Sequence, residues 1–337
     1  MTSVEIDVLV VGAGPAGLFA AYYAGFRGLR VAVVDSLSEP GGQISAMYPE
    51  KMIFDVAGFP SVKGRELVGN LVAQAAPFDP VYLLGQPAQR LETVGTPGAG
   101  GGFLVSNDTG LSVHAKAVII TGGIGKFEPR PLAAARDFGG RGISYFVRDP
   151  TEYAGTDVVI VGGGDSAFDW ADTLHGSARS VTLVHRRRAF RAHPATVDRA
   201  RTAGIDIVVE AEVTGLHGVD RVEAVDIRSG EFGERTIPCQ KVIAALGFTA
   251  NLGPLLEWGI DVKNRRHIPV DSAMQTNVAG VFSAGDINDY PGKVRLIAVG
   301  FGEAATAVNN AAHFIDPSRP VFPGHSTDAA PEPVAAR

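Results

Sequence analysis

Cysteine is almost absent from this chain, since Cys239 is the only one among 337 residues. A single cysteine excludes an intramolecular disulfide, a CxxC redox pair and a zinc site built from cysteines. The eight histidines are scattered, without the spacing of metal ligands. We therefore expect no metal centre, and we expect Cys239 to be a buried and dispensable thiol.

An excess of basic charge is also missing. The formal net charge is −6, which argues against nucleic acid as the main partner because phosphate binding needs a basic surface. The N-terminus is acidic where a signal peptide would be basic. The uncharged run over residues 8–26 is long enough for a membrane span, but glycines and a proline interrupt it, and a strand that enters a turn explains it better. We expect a cytoplasmic protein that is not bound to a membrane.

Two stretches of the chain show the same order of elements. Each has an apolar strand, a glycine turn, a helical pattern and a second apolar strand, over residues 7–35 and again over residues 157–185. The first glycine of the turn and the last residue of the second strand are 23 residues apart in both stretches. This order is typical of a βαβ unit in a parallel sheet.

The remaining pattern predicts that one domain is inserted into another. Strand-like runs over residues 118–123 and 242–247 lead out of the two units, another over 281–286 follows, and a helix-like run covers Gly302 to Ile315. A chain of this length also exceeds what one hydrophobic core usually serves. We predict an α/β fold with two Rossmann-like dinucleotide-binding domains of the three-layer ββα type. The first domain comprises residues 1–124 and 248–337, and the second, residues 125–247, is inserted into it.

The two glycine turns predict dinucleotide sites. In such a turn the glycines let a helix N-terminus approach a pyrophosphate, whose charge is stabilised by backbone N–H groups and the helix dipole. One such turn is weak evidence, because glycines between a strand and a helix also serve packing; two turns in the required context favour binding. The candidate residues are Gly12, Gly14 and Gly17 in the first unit and Gly162, Gly164, Asp165 and Ser166 in the second.

The residues that end the second strand of each unit separate the two ligands. Asp35 in the first unit would accept hydrogen bonds from ribose hydroxyls and repel a 2′-phosphate, which suits FAD or NAD(H). The equivalent residue of the second unit is His185, which is followed by an arginine-rich run. Guanidinium groups pair well with a 2′-phosphate, so this unit suits NADP(H). A solvated surface is the plain alternative for such a run; we favour Arg186, Arg187 and Arg191 as phosphate ligands.

Asp286 ends a further strand, at the sheet edge where ligands of open α/β sheets bind. Its carboxylate could accept hydrogen bonds from the ribityl hydroxyls of a flavin. It could also be the N-cap of a helix, which is common for aspartate after a strand. The two roles do not exclude each other.

Motifs along almost the whole chain carry a resemblance to a known family. Besides the glycine turns they are Pro40-Gly41-Gly42-Gln43, Met47-Tyr48-Pro49-Glu50-Lys51, Asp55-Val56-Ala57-Gly58-Phe59-Pro60, His185–His193, Gly285-Asp286 and His325-Ser326-Thr327. On these residues the chain resembles the thioredoxin-reductase-like flavoproteins, and more closely the ferredoxin–NADP⁺ reductases built on that fold. A thioredoxin reductase would have a CxxC just before the second unit, where this chain has Tyr145-Phe146-Val147-Arg148-Asp149. Disulfide reduction by that mechanism is excluded.

The resemblance implies a set of FAD contacts. They are Asp35, Gln43, Tyr48, Ala88, Phe127, Asp286 and Thr327. Tyr48 would stack on the isoalloxazine ring, and His325 from the partner subunit of a homodimer would cover the opposite face. These two flavin-stacking residues are the catalytic candidates, and no acid or base is assigned. Ordinary core packing is the alternative for Tyr48 and Phe127.

The resemblance also implies the activity: hydride exchange between NADP(H) and FAD, followed by single-electron exchange with a ferredoxin or a similar carrier. Two alternatives stay open at this point. One is an enzyme of the same fold that uses another acceptor, such as a flavodoxin, a quinone or oxygen. The other is a sensor that binds both nucleotides without turnover.

Overall fold

The structure is a computed structural model that describes residues 2–123, 125–136, 138 and 141–325, without the side chains of residues 2, 3, 126–128, 249 and 250. The chain divides into two compact units. Unit 1 is Met1–Phe127 with Ala250–Arg337, and unit 2 is Glu128–Thr249. These limits differ by two or three residues from the domain limits expected from the sequence.

The described residues form strands, α-helices and 3₁₀ helices. The strands are β1 Thr2–Val11, β2 Val31–Asp35, β3 Met52–Ile53, β4 Val62–Lys63, β5 Val81–Leu84, β6 Arg90–Val94, β7 Gly102–Ser106, β8 Leu111–Ile120, β9 Lys126–Pro129, β10 Ile143–Ser144, β11 Asp157–Val161, β12 Ser180–His185, β13 Asp206–Val209, β14 Ala211–His217, β15 Ala224–Ser229, β16 Gly233–Pro238, β17 Lys241–Ala244, β18 Phe248–Asn251, β19 Ile268–Pro269, β20 Val281–Ser283 and β21 Asn288–Asp289. The α-helices are α1 Pro15–Phe26, α2 Gln43–Met47, α3 Gly64–Ala75, α4 Asp165–His175, α5 Pro194–Thr202 and α6 Ile297–Ile315. Within the described residues, 3₁₀ helices cover Ala76–Phe78, Ala133–Ala135, Pro150–Tyr153 and Gly253–Glu257.

Unit 1 is built on a seven-stranded sheet. Its order is β5-β2-β1-β8-β7-β6, and β20 pairs with the end of β8. Strands β1, β2, β5, β8 and β20 are parallel, whereas β6, β7 and β8 form an antiparallel meander. Val8 and Val10 belong to the core cluster that includes α1 and α6 residues, and Leu9 belongs to another core cluster. Burial on both faces explains why residues 8–10 of β1 are apolar without alternation.

Unit 2 repeats the parallel arrangement in a separate sheet. Its order is β10-β17-β11-β12-β13, and each adjacent pair is parallel. Strands β14, β15 and β16 form an antiparallel meander of their own. The predicted βαβ order, strand to glycine turn to helix to strand, is therefore present as β1-α1-β2 in unit 1 and as β11-α4-β12 in unit 2.

Helix α6 starts five residues earlier than the sequence predicted, at Ile297 rather than Gly302. Glycine is a weak helix former, and the predicted run left out Gly300. In the structure Gly300 lies beside both α1 and Gly285, because a Cβ on it would be at ordinary contact distance, 3.5 Å, from the Ala16 Cβ and the Gly285 Cα. The beginnings of α1 and α6 are thus neighbours, and further along the two helices Arg27 is hydrogen-bonded to Asn309.

Cys239 lies between β16 and β17 with no exposed surface, within the core of unit 2. Burial raises the pKa of its thiol to about 12, so the reactive thiolate is scarce at neutral pH. No helix in the described part of the chain has the length and apolarity of a membrane span.

Candidate functional site

A cleft of about 640 Å³ opens at the carboxyl ends of the parallel strands of unit 1. Residues that end or follow β1, β2, β8 and β20 line it, which is where ligands bind in open α/β sheets. Its volume is in the range of small-molecule and cofactor pockets. The candidate residues that line it are Gly12, Gly14, Asp35, Gln43, Tyr48, Ala88 and Asp286.

The three glycines of the first turn lie in different environments, which give different reasons for a glycine at each position. Gly12 has φ +116°, and a Cβ on it would lie 2.7 Å from the Thr121 backbone. A Cβ on Gly17 would lie 1.9 Å from the Gly12 carbonyl oxygen, so Gly17 lets the helix pack on the turn. Gly14 is the N-cap of α1, and a Cβ there would meet nothing within 4 Å. Close packing therefore requires glycine at positions 12 and 17. At position 14 there is room for a side chain, and this room is part of the cleft.

Asp35 ties the end of β2 to this turn. Its Oδ2 accepts a hydrogen bond from the Ala13 N–H at 2.6 Å, and its Oδ1 accepts one from the Leu37 N–H at 2.8 Å. Burial raises the pKa of the carboxyl, although these backbone donors favour the charged form. The carboxylate is thereby oriented along the wall of the cleft.

Asp286 and Tyr48 lie together at another part of the cleft. Asp286 follows β20 and precedes β21, so the alternative that it is the N-cap of a helix is wrong. Burial raises its pKa, whereas the positive charges of Lys293 and Arg295 lower it. Burial also raises the pKa of Tyr48, with Asp286 and Asp55 adding to the effect, so this phenol is neutral at physiological pH.

Some candidate residues do not line the cleft or fall outside the description. Gly17 contacts the turn rather than the cleft. His325 is exposed and is not among the lining residues. The Phe127 side chain and Thr327 lie outside the described residues. No cluster of metal-binding side chains occurs within the described part of the chain.

The glycine turn of unit 2 resembles that of unit 1, but a different side chain packs against it. A Cβ on Gly162 would lie 2.5 Å from the Ala245 carbonyl oxygen, whereas one on Gly164, the N-cap of α4, would meet nothing within 4 Å. A Cβ on Gly163 would lie 2.3 Å from the His185 ring. In unit 1 a carboxylate binds the turn at the corresponding place, and in unit 2 an imidazole packs on it.

The arginine-rich loop after β12 is attached to this turn. The Arg191 N–H donates to the Gly163 carbonyl at 2.8 Å, and the His193 N–H donates to the Asp165 carboxylate, also at 2.8 Å. Asp165, proposed as a ligand-binding residue, therefore holds the loop. Ser166 is exposed beside it in the first turn of α4.

The four arginines of this loop are not equivalent. Arg188 forms an ion pair with Glu210 at 2.7 Å, whereas Arg186, Arg187 and Arg191 form none with any described residue. Burial lowers the pKa of His185, and these same three positive charges lower it further. The end of β12 thus combines a neutral imidazole with three exposed guanidinium groups beside a glycine turn.

Two residues near the cleft were missed by the sequence analysis. Glu303 accepts a hydrogen bond from the Gly285 N–H at 2.8 Å, and Lys293 donates one to the Gly285 carbonyl at 3.0 Å. A signal was present for the first of them, because Glu303 is the only Asp, Glu, Lys or Arg in the 19 residues of α6. Nothing in the sequence paired it with Lys293.

The glycine assignments predict different effects of the same small substitution. Gly17→Ala should lower the thermal unfolding temperature strongly, because its Cβ would overlap the Gly12 carbonyl. Gly14→Ala should leave the protein folded but lower the amount of nucleotide that it retains, because the methyl group enters open space beside the helix N-terminus. Circular dichroism and the FAD content of the purified variants measure the two effects. Equal behaviour of the two variants would contradict the assignment.

Comparisons with known proteins agree with this arrangement. The family described as pyridine nucleotide-disulphide oxidoreductase matches residues 6–311. A ferredoxin–NADP reductase of Salinispora arenicola is 62% identical over 327 residues, which cover 97% of this chain and 99% of that protein. A ferredoxin–NADP reductase of Nocardioides sp. is 61% identical over 329 residues, covering 97% and 98%.

Solved structures give the same result for the fold. The thioredoxin reductase of T. acidophilum has a TM-score of 0.76 and 29% identity, and the match covers 91% of this chain and 98% of that one. The predicted fold class, with its two dinucleotide-binding domains, is confirmed. On the extent of these matches, the chain belongs to the pyridine nucleotide-disulphide oxidoreductase family.

Proposed function

We propose that this protein is a ferredoxin–NADP⁺ oxidoreductase that binds FAD in unit 1 and NADP(H) in unit 2. The observation that carries the proposal is the contrast between two glycine turns of one design. A carboxylate, Asp35, borders the first turn, whereas His185 and three guanidinium groups border the second. The names of the full-length relatives at about 60% identity support the same activity.

FAD fits the cleft of unit 1. The open space at Gly14 lies where the N-terminus of α1 can bind a pyrophosphate. Asp35 can accept hydrogen bonds from ribose hydroxyls, and Asp286 can accept them from a ribityl chain. Tyr48 presents a neutral aromatic ring that can stack on a flat isoalloxazine system.

NADP(H) fits the glycine turn of unit 2. The open space at Gly164 corresponds to that at Gly14. Arg186, Arg187 and Arg191 can bind a 2′-phosphate, whereas Arg188 is occupied by Glu210. NADH lacks that phosphate and would gain nothing from the three guanidinium groups.

The chemistry needs little acid–base work from the protein. Bound FAD would exchange hydride with NADP(H) and single electrons with ferredoxin. The chain orients the two nucleotides and supplies the ring of Tyr48. The one thiol is buried and its pKa is raised to about 12, so a thiol relay is not part of the route. Two alternatives compete with this proposal. The electron acceptor could be a flavodoxin, a quinone or oxygen, or the protein could be a sensor without turnover.

We further propose a cytoplasmic homodimer in which His325 and Thr327 cover the flavin of the partner subunit. The hydrogen bonds of residues 320 and 321, which precede the tail, support this arrangement. Arg27 donates hydrogen bonds to the carbonyls of Pro320 and Val321 at 3.0 and 3.1 Å. Arg27 follows the C-terminal end of α1, and the N-terminal end of this 12-residue helix lines the cleft. Arg27 therefore lies about 18 Å from the cleft. The four residue steps from Val321 to His325 span at most about 14 Å, which is shorter than that distance.

Reduction of cytochrome c by NADPH, with and without a [2Fe–2S] or [4Fe–4S] ferredoxin, tests the function. We expect ferredoxin to raise the rate severalfold or more. A dye such as ferricyanide should be reduced without ferredoxin. If the dye is reduced and ferredoxin has no effect, another acceptor is used; if neither is reduced, the sensor alternative holds.

Replacement of both Arg186 and Arg187 by Ala should raise the KM for NADPH and leave that for NADH nearly unchanged. The loss of two charge-assisted hydrogen bonds costs about 3 kcal/mol or more, which corresponds to roughly a hundredfold change. Arg188→Ala is the matched control, because Arg188 is paired with Glu210. Equal losses with both nucleotides would remove these two arginines from the site.

Truncation tests the tail. Removal of the chain from Pro323 onward should leave FAD bound but change the flavin absorption spectrum and the turnover, because one ring face becomes exposed. Removal of the residues after Asp328 should have almost no effect and is the control. If the shorter protein matches the full chain in both measurements, His325 has no role at the flavin.

A further inference from the structure

A buried cluster of charged and polar side chains lies behind the Gly285–Asp286 turn and outside the cleft. The Lys293 side chain is 2% exposed and that of Glu303 is 4% exposed, and the two form an ion pair. Neither residue lines the cleft, whereas Gly285 and Asp286 do. The cluster is therefore next to the candidate FAD site without being part of its surface.

Glu303 is the centre of the cluster. Its Oε2 accepts hydrogen bonds from the Gly285 N–H at 2.8 Å and from the Asn288 side-chain amide at 3.2 Å. Its Oε1 accepts one from the Tyr290 hydroxyl at 2.6 Å, besides the ion pair with Lys293. Burial and the bond to Glu303 raise the pKa of Tyr290 to about 12, so Tyr290 is a donor. The carboxylate is thus saturated with donors.

Both charges of the pair bind the same backbone residue. Glu303 accepts from the Gly285 N–H, and the Lys293 Nζ donates to the Gly285 carbonyl at 3.0 Å. The peptide groups on both sides of Gly285 are therefore held by ionised side chains, and such hydrogen bonds are stronger than neutral ones. Because peptide groups are planar, this fixes the direction in which the chain enters Asp286.

Close packing holds the same turn from the other side. Gly285 has φ +84°, and a Cβ on it would lie 3.2 Å from the Ala16 Cβ in the first turn of α1. A Cβ on Gly300 in α6 would lie 3.5 Å from the Gly285 Cα. The turn is confined between two helix beginnings that both contribute to the cleft.

Stability alone is a poor reason for such a pair. Removing two ions from water costs more than their attraction often returns, and apolar replacements of buried pairs are frequently neutral or stabilising. The geometry points to another role. We infer that Lys293 and Glu303 are positioning residues that clamp Gly285 and thereby hold Asp286 in the orientation that binds the ribityl chain of FAD. This inference rests on the proposed binding of FAD in the cleft of unit 1.

The rate of FAD release from the holoenzyme tests the clamp. It is followed by the rise in flavin fluorescence at a temperature where far-ultraviolet circular dichroism shows the protein folded. Lys293→Met should accelerate release about tenfold or more, which is the effect expected for one lost hydrogen bond to a charged group. The visible spectrum of the flavin that stays bound should also change, which a loss of stability alone would not cause.

Lys293→Met leaves Glu303 charged without its cation and could prevent folding, so a second variant is needed. The double variant Lys293→Met/Glu303→Gln has no unpaired charge and should fold better than the single one. It should still release FAD about tenfold faster than the wild type, because no cation donates to the Gly285 carbonyl. Lys116→Met is the matched control; the Lys116 side chain is exposed and lies 2.8 Å from the partly buried Asp7 of the same unit, and release should be unchanged.

The outcomes separate the clamp from the proposed function. If the wild type retains FAD and the double variant releases it at the wild-type rate with an unchanged spectrum, the pair is only structural and the inference is overturned. If the wild type binds no FAD, the proposed function fails and the inference fails with it.

Discussion

The tight turn from β1 into α1 is the constraint on which the arrangement of unit 1 depends. The turn is held by bonds from three separate segments. The Asp35 carboxylate accepts from the Ala13 N–H, the Thr121 hydroxyl donates to the Gly12 carbonyl at 2.8 Å, and the Gly41 N–H donates to the Ala13 carbonyl at 2.8 Å. Because the turn is held from all these sides, the N–H groups at the start of α1 have a defined direction toward the cleft.

The corresponding turns of the two units have different neighbouring side chains. In unit 1 the carboxylate that holds the turn would, under the proposed function, also repel a 2′-phosphate. In unit 2 His185 packs on Gly163 instead, and the loop that follows is attached through Asp165 and the Gly163 carbonyl. The attachment keeps the exposed guanidinium groups near the helix N-terminus. One backbone design can therefore hold two nucleotides of different charge.

Local features of the site could be predicted from the sequence, and long-range ones could not. The turns, Asp35 and His185 follow from spacing within one βαβ unit, because strand, turn and helix determine where a residue 23 positions later must lie. The beginning of α6 could not be predicted, since glycine is a weak helix former and the neighbours of Gly300, α1 and Gly285, are distant in the sequence. The contact between Lys293, Glu303 and Gly285 likewise depends on the return of a loop and a helix to the end of β20. A lone carboxylate in an apolar helix indicated only that some partner was required.

We propose that this chain passes hydride from NADPH to its own flavin, with the Asp35 carboxylate beside the first glycine turn and three guanidinium groups beside the second. Anaerobic rapid mixing of the purified protein with NADPH or with NADH tests it most directly. We expect NADPH to bleach the visible flavin band quickly and NADH at the same concentration to do so far more slowly. Bleaching at equal rates, or no bleaching by either nucleotide, would contradict it.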